Sequence, residues 1–362
     1  MKLSNIYNNY LKYIIWFIIF ISISLLLTLN NYEKTKRSYD ENKFSELKTK
    51  IAQVFKEFER NSDFIFNVLK TDANLRKILL QINTKDTSNA SKLRKDLFDS
   101  VQNLNLNFEE LGIFKLYFIR SDKTVFLRYF NPESFDDSFE NQTLLGKVIQ
   151  TNSAQSGFTP GLYDFSYRRI YPLELDGKKI GFVEMVLSEQ YFAEALSYDK
   201  TRFTLLNYYF NDLKMNIPKN LHQSPFLKDY FIKLDTNYHH QNSAINPLYH
   251  LFLDKLSKQS DLQYISSQKT EFHFHFESLT EMYSVYFIPI YTESKIFCGY
   301  LMHGFKNITL ENKLFDVIIL NVGVGIFLVI ILSIIAYRKK NIEKFCFFHV
   351  FRNLQPFFLS FV

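Results

Sequence analysis

Two long apolar runs without a single charged residue stand near the ends of this 362-residue chain. The first is Tyr13–Tyr32 and the second is Val317–Tyr337, with 20 and 21 residues. At a rise of about 1.5 Å per residue, either run forms a helix that covers a hydrocarbon layer of about 30 Å. We therefore predict transmembrane helices at residues 13–32 and 316–337. A cleavable signal peptide is the alternative for the first run, but the run exceeds the usual ~7–15 apolar residues and no small-residue cleavage site follows it.

Basic residues beside these runs predict the orientation of the chain. Arg338, Lys339 and Lys340 directly follow the second run, and basic flanks stay on the cytoplasmic side. Residues 1–12 and 338–362 are then cytoplasmic, and residues 33–314 are periplasmic or extracellular. We expect the chain in the inner (cytoplasmic) membrane of a bacterium.

After the first run, apolar residues recur at spacings of three and four, which is typical of one helix face. They are Phe44, Leu47, Ile51, Val54, Phe58, Ile65 and Val68, with Asn61 interrupting the series. The pattern predicts a stalk helix over residues 33–62 that continues into the next domain. Its apolar face either packs on the chain's own domain or forms the seam of a homodimer that the transmembrane helices extend.

Beyond residue 111 the pattern changes to short aromatic and β-branched runs, which are typical of strands. Four such runs are Ile113–Ile119, Thr124–Phe130, Tyr167–Leu175 and Lys178–Leu187. Asp176-Gly177 between the last two predicts a tight hairpin, because both positions tolerate positive φ. The polar connection Asn131–Ser166 contains prolines and glycines, which predicts a long loop that serves as a ligand lid.

A second set of similar elements follows. It comprises a helical stretch at Pro247–Gln259, strands at Thr270–Glu277, Met282–Tyr291 and Ile296–Phe305, and turns near Ser278–Thr280 and Thr292–Ser294. The hairpin around Pro172 and Gly181 recurs around Pro289 and Gly299, 117 residues later for the two prolines. Such repetition predicts two related modules, at residues 63–195 and 196–312.

Composition and charge exclude several classes of protein. With 47% hydrophobic and 17% aromatic residues, the chain is too apolar to be disordered. The net charge of +6 divides into +2 for residues 1–30, +1 for residues 31–314 and +3 for residues 315–362. A nucleic-acid-binding domain concentrates basic residues, so we expect no nucleic-acid partner. Cys298 and Cys346 fall on opposite sides of the membrane in this topology and cannot pair within the chain.

The stretch from Phe126 to Glu184 resembles the membrane-distal module of the double Cache sensor family. The resemblance rests on Leu127-Arg128, Asn131-Pro132-Glu133 leading to Phe135-Asp136-Asp137, the loop from Gly157 to Gly161, Arg169-Ile-Tyr-Pro172 and Gly181-Phe-Val-Glu184. It implies an α+β fold with two PAS-like Cache modules, built of antiparallel sheets on a long N-terminal helix. It also implies an extracytoplasmic small-molecule sensor that drives a diguanylate cyclase, histidine kinase or chemotaxis output.

Polar side chains of the first module are the candidates for binding a ligand, because a sensor pocket needs a few polar groups in an apolar concavity. Arg128 and Arg169 lead, since a guanidinium binds a carboxylate through two hydrogen bonds. Alternation sends Arg168 and Arg169 to opposite faces, so at most one of them points inward. The full set is Arg128, Tyr129, Asp137, Tyr163, Asp164, Arg169 and Tyr171. We expect an anionic or amino-acid-like ligand, and the alternative for each arginine is a structural ion pair with Asp136, Asp137 or Glu184.

The sequence offers little for catalysis, so we expect neither an enzyme nor a cofactor. It contains no G-x-S-x-G, H-E-x-x-H, P-loop or C-x-x-C motif. His273 and His275 share one strand face, but a metal site needs a further ligand that the sequence does not indicate. Solvent-facing histidines are the favoured interpretation.

Only 25 residues follow the second run, and they contain no recognisable output domain. We expect a reading frame that is truncated or frameshifted near Lys344–Phe345. Alternatively, this Phe-rich tail lies in the membrane interface or contacts a separate signalling partner. The alternative function is a stand-alone, membrane-anchored module for protein interaction.

Overall fold

A computed structural model describes residues 2–83, 87–138, 143–160, 165–197, 202–213, 217–218, 221–233, 246–277 and 281–338. Its helices are α1 (Lys2–Thr71), α2 (Ala73–Leu79), α3 (Thr87–Gln102), α4 (Thr143–Thr151), α5 (Glu189–Leu196), α6 (Asn246–Ser257), α7 (Leu262–Ser267) and α8 (Ile308–Arg338). Its strands are β1 (Ile113–Arg120), β2 (Val125–Arg128), β3 (Gln155–Pro160), β4 (Phe165–Leu175), β5 (Lys178–Leu187), β6 (Arg202–Tyr209), β7 (Leu221–Gln223), β8 (Tyr230–Lys233), β9 (Phe272–Glu277), β10 (Met282–Tyr291) and β11 (Phe297–Lys306).

The chain divides into two units, one of residues 41–307 and one of residues 1–40 with 308–362. Both sheets lie in the first of these units. The first sheet has the order β2-β1-β5-β4-β3, and the second sheet has the order β7-β8-β6-β11-β10-β9. Neighbouring strands within each sheet are antiparallel. The series β1-β5-β4-β3 therefore returns as β6-β11-β10-β9, which confirms an α+β fold with two antiparallel sheets.

The glycines that recur in the two hairpins allow the same close approach of neighbouring strands. A Cβ on Gly181 would lie 2.0 Å from the carbonyl oxygen of Ile119, and a Cβ on Gly299 would lie 2.0 Å from that of Asn207. No side chain fits at that distance. The repeated glycine thus marks the place where the hairpin joins the next strand, β1 in the first sheet and β6 in the second.

The predicted strands of both sets are present, and their ends differ from the prediction by a few residues. The β4–β5 hairpin turns through Asp176 and Gly177, whose φ angles are 51° and 71°. The prediction of a plain loop over Asn131–Ser166 is wrong, because this connection contains α4 and β3. Leu144, Leu145 and Val148 are buried and give α4 an apolar face. The predicted turn at Ser278–Thr280 lies outside the described residues.

Residues 44–69 of α1 bury an apolar stripe against both sheets. The ring of Phe44 lies 5.0 Å from that of Tyr286 in the second sheet, and the ring of Phe55 stacks at 4.2 Å on Tyr167 in the first. The amide of Asn61 donates to the carbonyl of Leu111 at 3.2 Å, which explains the polar interruption of the stripe. The stripe therefore packs on the chain's own domain.

No helix in the described part of the chain combines the length and the apolarity that crossing a membrane requires. The predicted spans at residues 13–32 and 316–337 fall within α1 and α8 and stay predictions. The tail at residues 339–362, with Cys346, lies outside the described residues. Cys298 is a free, buried thiol on β11.

Candidate functional site

Strand register brings four polar side chains to one face of the first sheet. Tyr117 on β1 is the partner of Arg128 on β2 and of Glu184 on β5, and Arg168 on β4 is the partner of Val186. Paired residues of antiparallel strands point to the same side of a sheet. We call this side the outer face. Its apolar residues, which pack under Leu144, Leu145 and Val148 of α4, are Ile119, Val125, Ile170, Phe182 and Val186.

Arg168 and Glu184 form a buried ion pair on the outer face. The guanidinium Nη1 of Arg168 donates to Oε1 of Glu184. Only 1% and 0% of the two side chains are exposed. Two charges of opposite sign so far from water cost several kcal/mol each in lost hydration, which their attraction offsets only in a close geometry. Replacing a buried ion pair by apolar residues of similar size is often close to neutral for stability, so stability alone does not explain these residues.

Arg128 forms a second ion pair on the outer face. Its Nη1 donates to the carbonyl oxygen of Ser134 at 2.6 Å and to the hydroxyl of Ser134 at 2.8 Å, and its Nη2 donates to Asp137. The guanidinium also lies 5.7 Å from the ring centre of Tyr117. Arg128 is 4% exposed. The site therefore holds two guanidinium groups and two carboxylates, and its net charge is zero.

The loop that carries Asp137 is fixed from its other side. Arg120 donates to Asp136 at 2.8 Å, and the guanidinium of Arg94 lies 3.3 Å from the ring centre of Phe135. Burial, together with the neighbouring Arg120, lowers the pKa of Arg94, although Asp136 opposes the shift. Asp137 thus projects from a loop that is held by two cations besides Arg128.

Thr159 adds a polar group to the same face. Residues Gly157 and Thr159 of β3 pair with Arg168 and Ser166 of β4. Thr159 is 1% exposed, and its hydroxyl has no hydrogen-bond partner among the described residues. Buried hydroxyls are normally hydrogen-bonded, so this one is a ready donor or acceptor for a bound molecule.

Arg169 and Tyr171 lie on the opposite side of the first sheet, which faces α1 and which we call the helix face. Arg169 donates to Asp63 Oδ1 through Nε at 3.0 Å and Nη2 at 2.8 Å, and the Tyr171 hydroxyl donates to the same oxygen at 2.7 Å. Burial and the bond to Asp63 raise the pKa of Tyr171. These two predicted site residues attach the first sheet to α1 and do not meet Arg128.

Tyr129 joins an aromatic cluster at the end of β2. Its ring lies 5.3, 5.2 and 5.0 Å from those of Phe98, Phe108 and Phe130. Burial raises the pKa of its hydroxyl. Of the predicted set, the structure thus brings together Arg128 and Asp137, while Tyr163 and Asp164 lie outside the described residues.

Three outer-face residues, Tyr117, Arg168 and Glu184, were not among the predicted ones. Alternation along β4 already separated Arg168 from Arg169, but it did not say which of them points to the outer face. The deciding signal is the register of the β4–β5 hairpin, and a β-bulge between Leu173 and Glu174 shifts that register by one residue.

His273 and His275 differ from the expectation of solvent-facing side chains. Both are half-buried on the edge strand β9. His275 Nδ1 and the Ser284 hydroxyl share a hydrogen bond of 2.7 Å, and the His273 ring stacks on Tyr286 at 5.5 Å. The neighbouring strand β10 therefore holds both rings.

Solved structures of sensor domains align with the chain at low identity. An extracellular ligand binding receptor from Desulfohalobium retbaense DSM5692 is 11% identical over 72% of this chain, which spans only 39% of that receptor chain, with a TM-score of 0.33. The ligand-binding domain of the Campylobacter jejuni chemoreceptor Tlp3, solved with L-norvaline, is 12% identical over 72% of this chain and 91% of its own, with a TM-score of 0.30. The ligand-binding domain of the Pseudomonas aeruginosa PAO1 amino acid chemoreceptor PctB, solved with L-Gln, is 10% identical over 71% of this chain and 90% of its own, with a TM-score of 0.27.

A family comparison is more decisive than these alignments. No curated protein sequence matches the chain. The sequence model of the family described as the double sensory domain of two-component sensor kinase, dCache_3, matches residues 47–285, which is more than half of the chain and includes the whole first sheet and part of the second. The chain therefore belongs to the double Cache family of sensory, ligand-binding domains.

Proposed function

We propose that the chain is an extracytoplasmic sensor whose first sheet binds a small zwitterion of the amino-acid class on its outer face. The observation that carries the proposal is the fully buried ion pair of Arg168 and Glu184 beneath α4. With Arg128 and Asp137 beside it, the face offers two positive and two negative groups. A zwitterion keeps this charge balance, whereas a simple anion or cation would leave one buried charge without a partner.

In the bound state, charged groups of the ligand replace some of the partners that the arginines and carboxylates have in the free protein. Its carboxylate accepts hydrogen bonds from a guanidinium of Arg128 or Arg168, and its ammonium donates to Glu184 or Asp137. The ring of Tyr117, already near a guanidinium, offers its face to the ammonium. The apolar side of α4 receives the ligand's side chain. Tyr163 and Asp164 belong to the connection that follows Thr159 and remain our candidates for lid residues.

Calorimetric titration of the full chain with the twenty common L-amino acids tests this function. Binding should require both the ammonium and the carboxylate of the ligand. A matched carboxylic acid or amine that lacks one of these charges should therefore bind at least about 30-fold more weakly than the amino acid. Arg128→Met should weaken binding to a similar extent. Arg169→Met is the matched control, because it removes a guanidinium from the helix face and should leave the affinity nearly unchanged.

Two results would count against the outer-face site. If Arg169→Met abolished binding while Arg128→Met did not, the ligand would occupy the helix face instead. If a carboxylic acid without an ammonium group bound as tightly as the amino acid, the zwitterion class would be wrong. Circular dichroism of each variant checks that it folds.

We also propose that residues 13–32 and 316–337 anchor the sensor in the inner membrane, with residues 33–314 outside the cytoplasm. Large apolar side chains are exposed along both segments, among them Leu26 at 67% and Phe327 at 62%. Exposed apolar surface of this kind favours burial in lipid. The two uncharged sequence runs support the same placement, and fractionation tests it. Retention of the chain in membranes after carbonate extraction is the expected result, and its release would overturn the proposal.

A further inference from the structure

An ion pair connects the helix that covers the outer face with the second sheet. Lys147 of α4 contacts Oε1 of Glu293, which lies in the turn between β10 and β11. The side chain of Lys147 is 42% exposed and that of Glu293 is 18% exposed. The other oxygen of Glu293 is buried and has no hydrogen-bond partner in the part of the chain that the structure describes. The carboxylate is therefore held in place largely by Lys147.

The same turn also touches the edge strand of the first sheet. Phe158 of β3 forms an isolated parallel bridge with Thr292. At the adjacent Gly157, a Cβ would lie 2.8 Å from the Cβ of Glu293, closer than unbonded carbon atoms approach. Only glycine lets the turn come this near. We call Lys147, Glu293 and Gly157 the clasp.

Lys147 and Glu293 lie on two elements with different positions in the fold. Leu144, Leu145 and Val148 of α4 pack on the outer face, so a molecule inserted there must displace α4 or tighten it. The β10–β11 hairpin is the last pair of strands before α8 along the chain, since β11 ends at Lys306 and α8 begins at Ile308. The pair of Lys147 and Glu293 therefore joins α4 to this hairpin.

We propose that the clasp transmits the occupancy of the outer face to the β10–β11 hairpin. In the free protein it holds α4 and the hairpin together. When a ligand changes the position of α4, Lys147 carries the change to Glu293, and Gly157 keeps the turn against β3 while this happens. The ligand-driven half of this inference rests on the proposed function, and the ligand-free half does not.

Hydrogen–deuterium exchange of the full chain, purified in detergent, tests the ligand-free half. Lys147→Met keeps the apolar stem and removes the charge, and Gly157→Ala pushes the turn away without changing a charge. We expect exchange at residues 289–297 and 143–151 to become about 2-fold faster or more in either variant. Gly146→Ala is the matched control for exchange at residues 289–297, since a Cβ at Gly146 meets nothing within 4 Å. Within α4 itself, alanine in place of glycine should slow exchange.

A charge swap separates the ion pair from a general loss of packing. The double variant Lys147→Glu with Glu293→Lys should restore wild-type exchange at the hairpin, whereas each single reversal should accelerate it. Unchanged exchange at residues 289–297 in both Lys147→Met and Gly157→Ala would overturn the clasp. So would a swap that exchanges as fast as the single reversals.

Repeating the exchange measurement with the tightest-binding L-amino acid tests the ligand-driven half. In the wild type the ligand should slow exchange in both α4 and the hairpin, and in Lys147→Met it should slow exchange in α4 alone. Equal slowing at the hairpin in both proteins would overturn transmission through the clasp while leaving the binding function intact. If no amino acid binds the wild type, the proposed function fails, and the ligand-free exchange alone decides whether the clasp exists.

Discussion

At the scale of single residues, the adjacent arginines of β4 show what a sequence leaves undecided. A two-residue turn at Asp176-Gly177 starts a register in which Leu175 pairs with Lys178, and its regular continuation sets Arg169 opposite Glu184. The β-bulge shifts the pairing so that Ile170 is the partner of Glu184, and Arg168 becomes its diagonal neighbour. Such a bulge depends on tertiary packing, so alternation in the sequence could not decide between Arg168 and Arg169, and the prediction selected Arg169.

The buried pair of Arg168 and Glu184 predicts a strong dependence on both partners. Arg168→Met leaves Glu184 as an uncompensated buried charge and should lower the free energy of unfolding by about 3–5 kcal/mol. Adding Glu184→Leu removes that charge and should recover most of the loss. Denaturant unfolding of the full chain measures both changes. A double variant no more stable than Arg168→Met would show that lost packing, rather than the buried charge, causes the destabilisation.

His303 predicts a pH dependence of stability. It is completely buried on β11, and its Nδ1 shares a 2.9 Å hydrogen bond with the Thr204 hydroxyl. Burial, reinforced by Lys43, Arg202 and Lys50 and opposed by Glu46, lowers its pKa from 6.5 to about 3. The folded protein therefore binds this proton less readily than the unfolded chain does. The stabilisation is fully present above pH 6.5 and is lost as the pH falls from 6.5 towards 3.

The variant His303→Asn isolates that contribution, because asparagine can hydrogen-bond Thr204 and does not titrate. Between pH 6.5 and 4.5, where most carboxylates stay ionised, the wild type should lose up to about 1.4 kcal/mol of unfolding free energy per pH unit more than the variant. Denaturant unfolding at several pH values gives both slopes. Equal slopes would mean that His303 takes up a proton in the folded state as easily as in the unfolded chain.

At the scale of elements, the Asp63 carboxylate is one of the groups that attach α1 to the first sheet. Three donors from β4 converge on Oδ1 of Asp63, two from Arg169 and one from Tyr171. Asp63→Ala leaves these half-buried donors without that acceptor and should cost about 1–3 kcal/mol, at the lower end because the Asp63 side chain is 48% exposed. Glu41→Ala, at an exposed acid of the same helix, is the control. Equal unfolding midpoints for the two variants would contradict this role.

Elements with a strong local signal were predicted, and those that depend on distant contacts were not. The β4–β5 hairpin has alternating residues and its own turn sequence, and the α1 stripe repeats over many turns. By contrast, α4 and β3 are short. Gly146 in α4, and Gly157 and Pro160 in β3, interrupt the hydrophobic periodicity from which a helix or a strand would be predicted. Position 157 has no room for a side chain because Glu293, which is far away in the sequence, lies against it. The strands β6, β7 and β8 were missed as well.

At the scale of the whole molecule, one helix serves both sheets of the 41–307 unit. Phe44 packs on Tyr286 of the second sheet, and Phe55, about three turns further along the helix, packs on Tyr167 of the first. The two groups of contacts lie on a single stripe. The repeated hairpin made two modules predictable, but only the structure shows that they share this helix.

This sharing predicts a specific effect of chain length in α1. One alanine inserted after Thr49 rotates everything beyond it by about 100° and moves it by about 1.5 Å. Phe44 and Phe55 then no longer point to the same side, so one sheet must lose its contacts. We expect faster cleavage in limited proteolysis than for Thr49→Ala, which has the same new side chain without the added length. Equal resistance of the two proteins would refute the prediction.

The shared stripe also determines where this architecture tolerates insertions and deletions. Adding or losing residues in the loop from Tyr129 to Ser138 changes the surroundings of one sheet alone. Inserting or deleting one residue between Phe44 and Phe55 turns one of these rings away from the other. Their contacts with the two sheets then cannot both be kept. Variation in length among proteins built this way should therefore accumulate in that loop, at the rim of the outer face, and be excluded from the helix that supports both sheets.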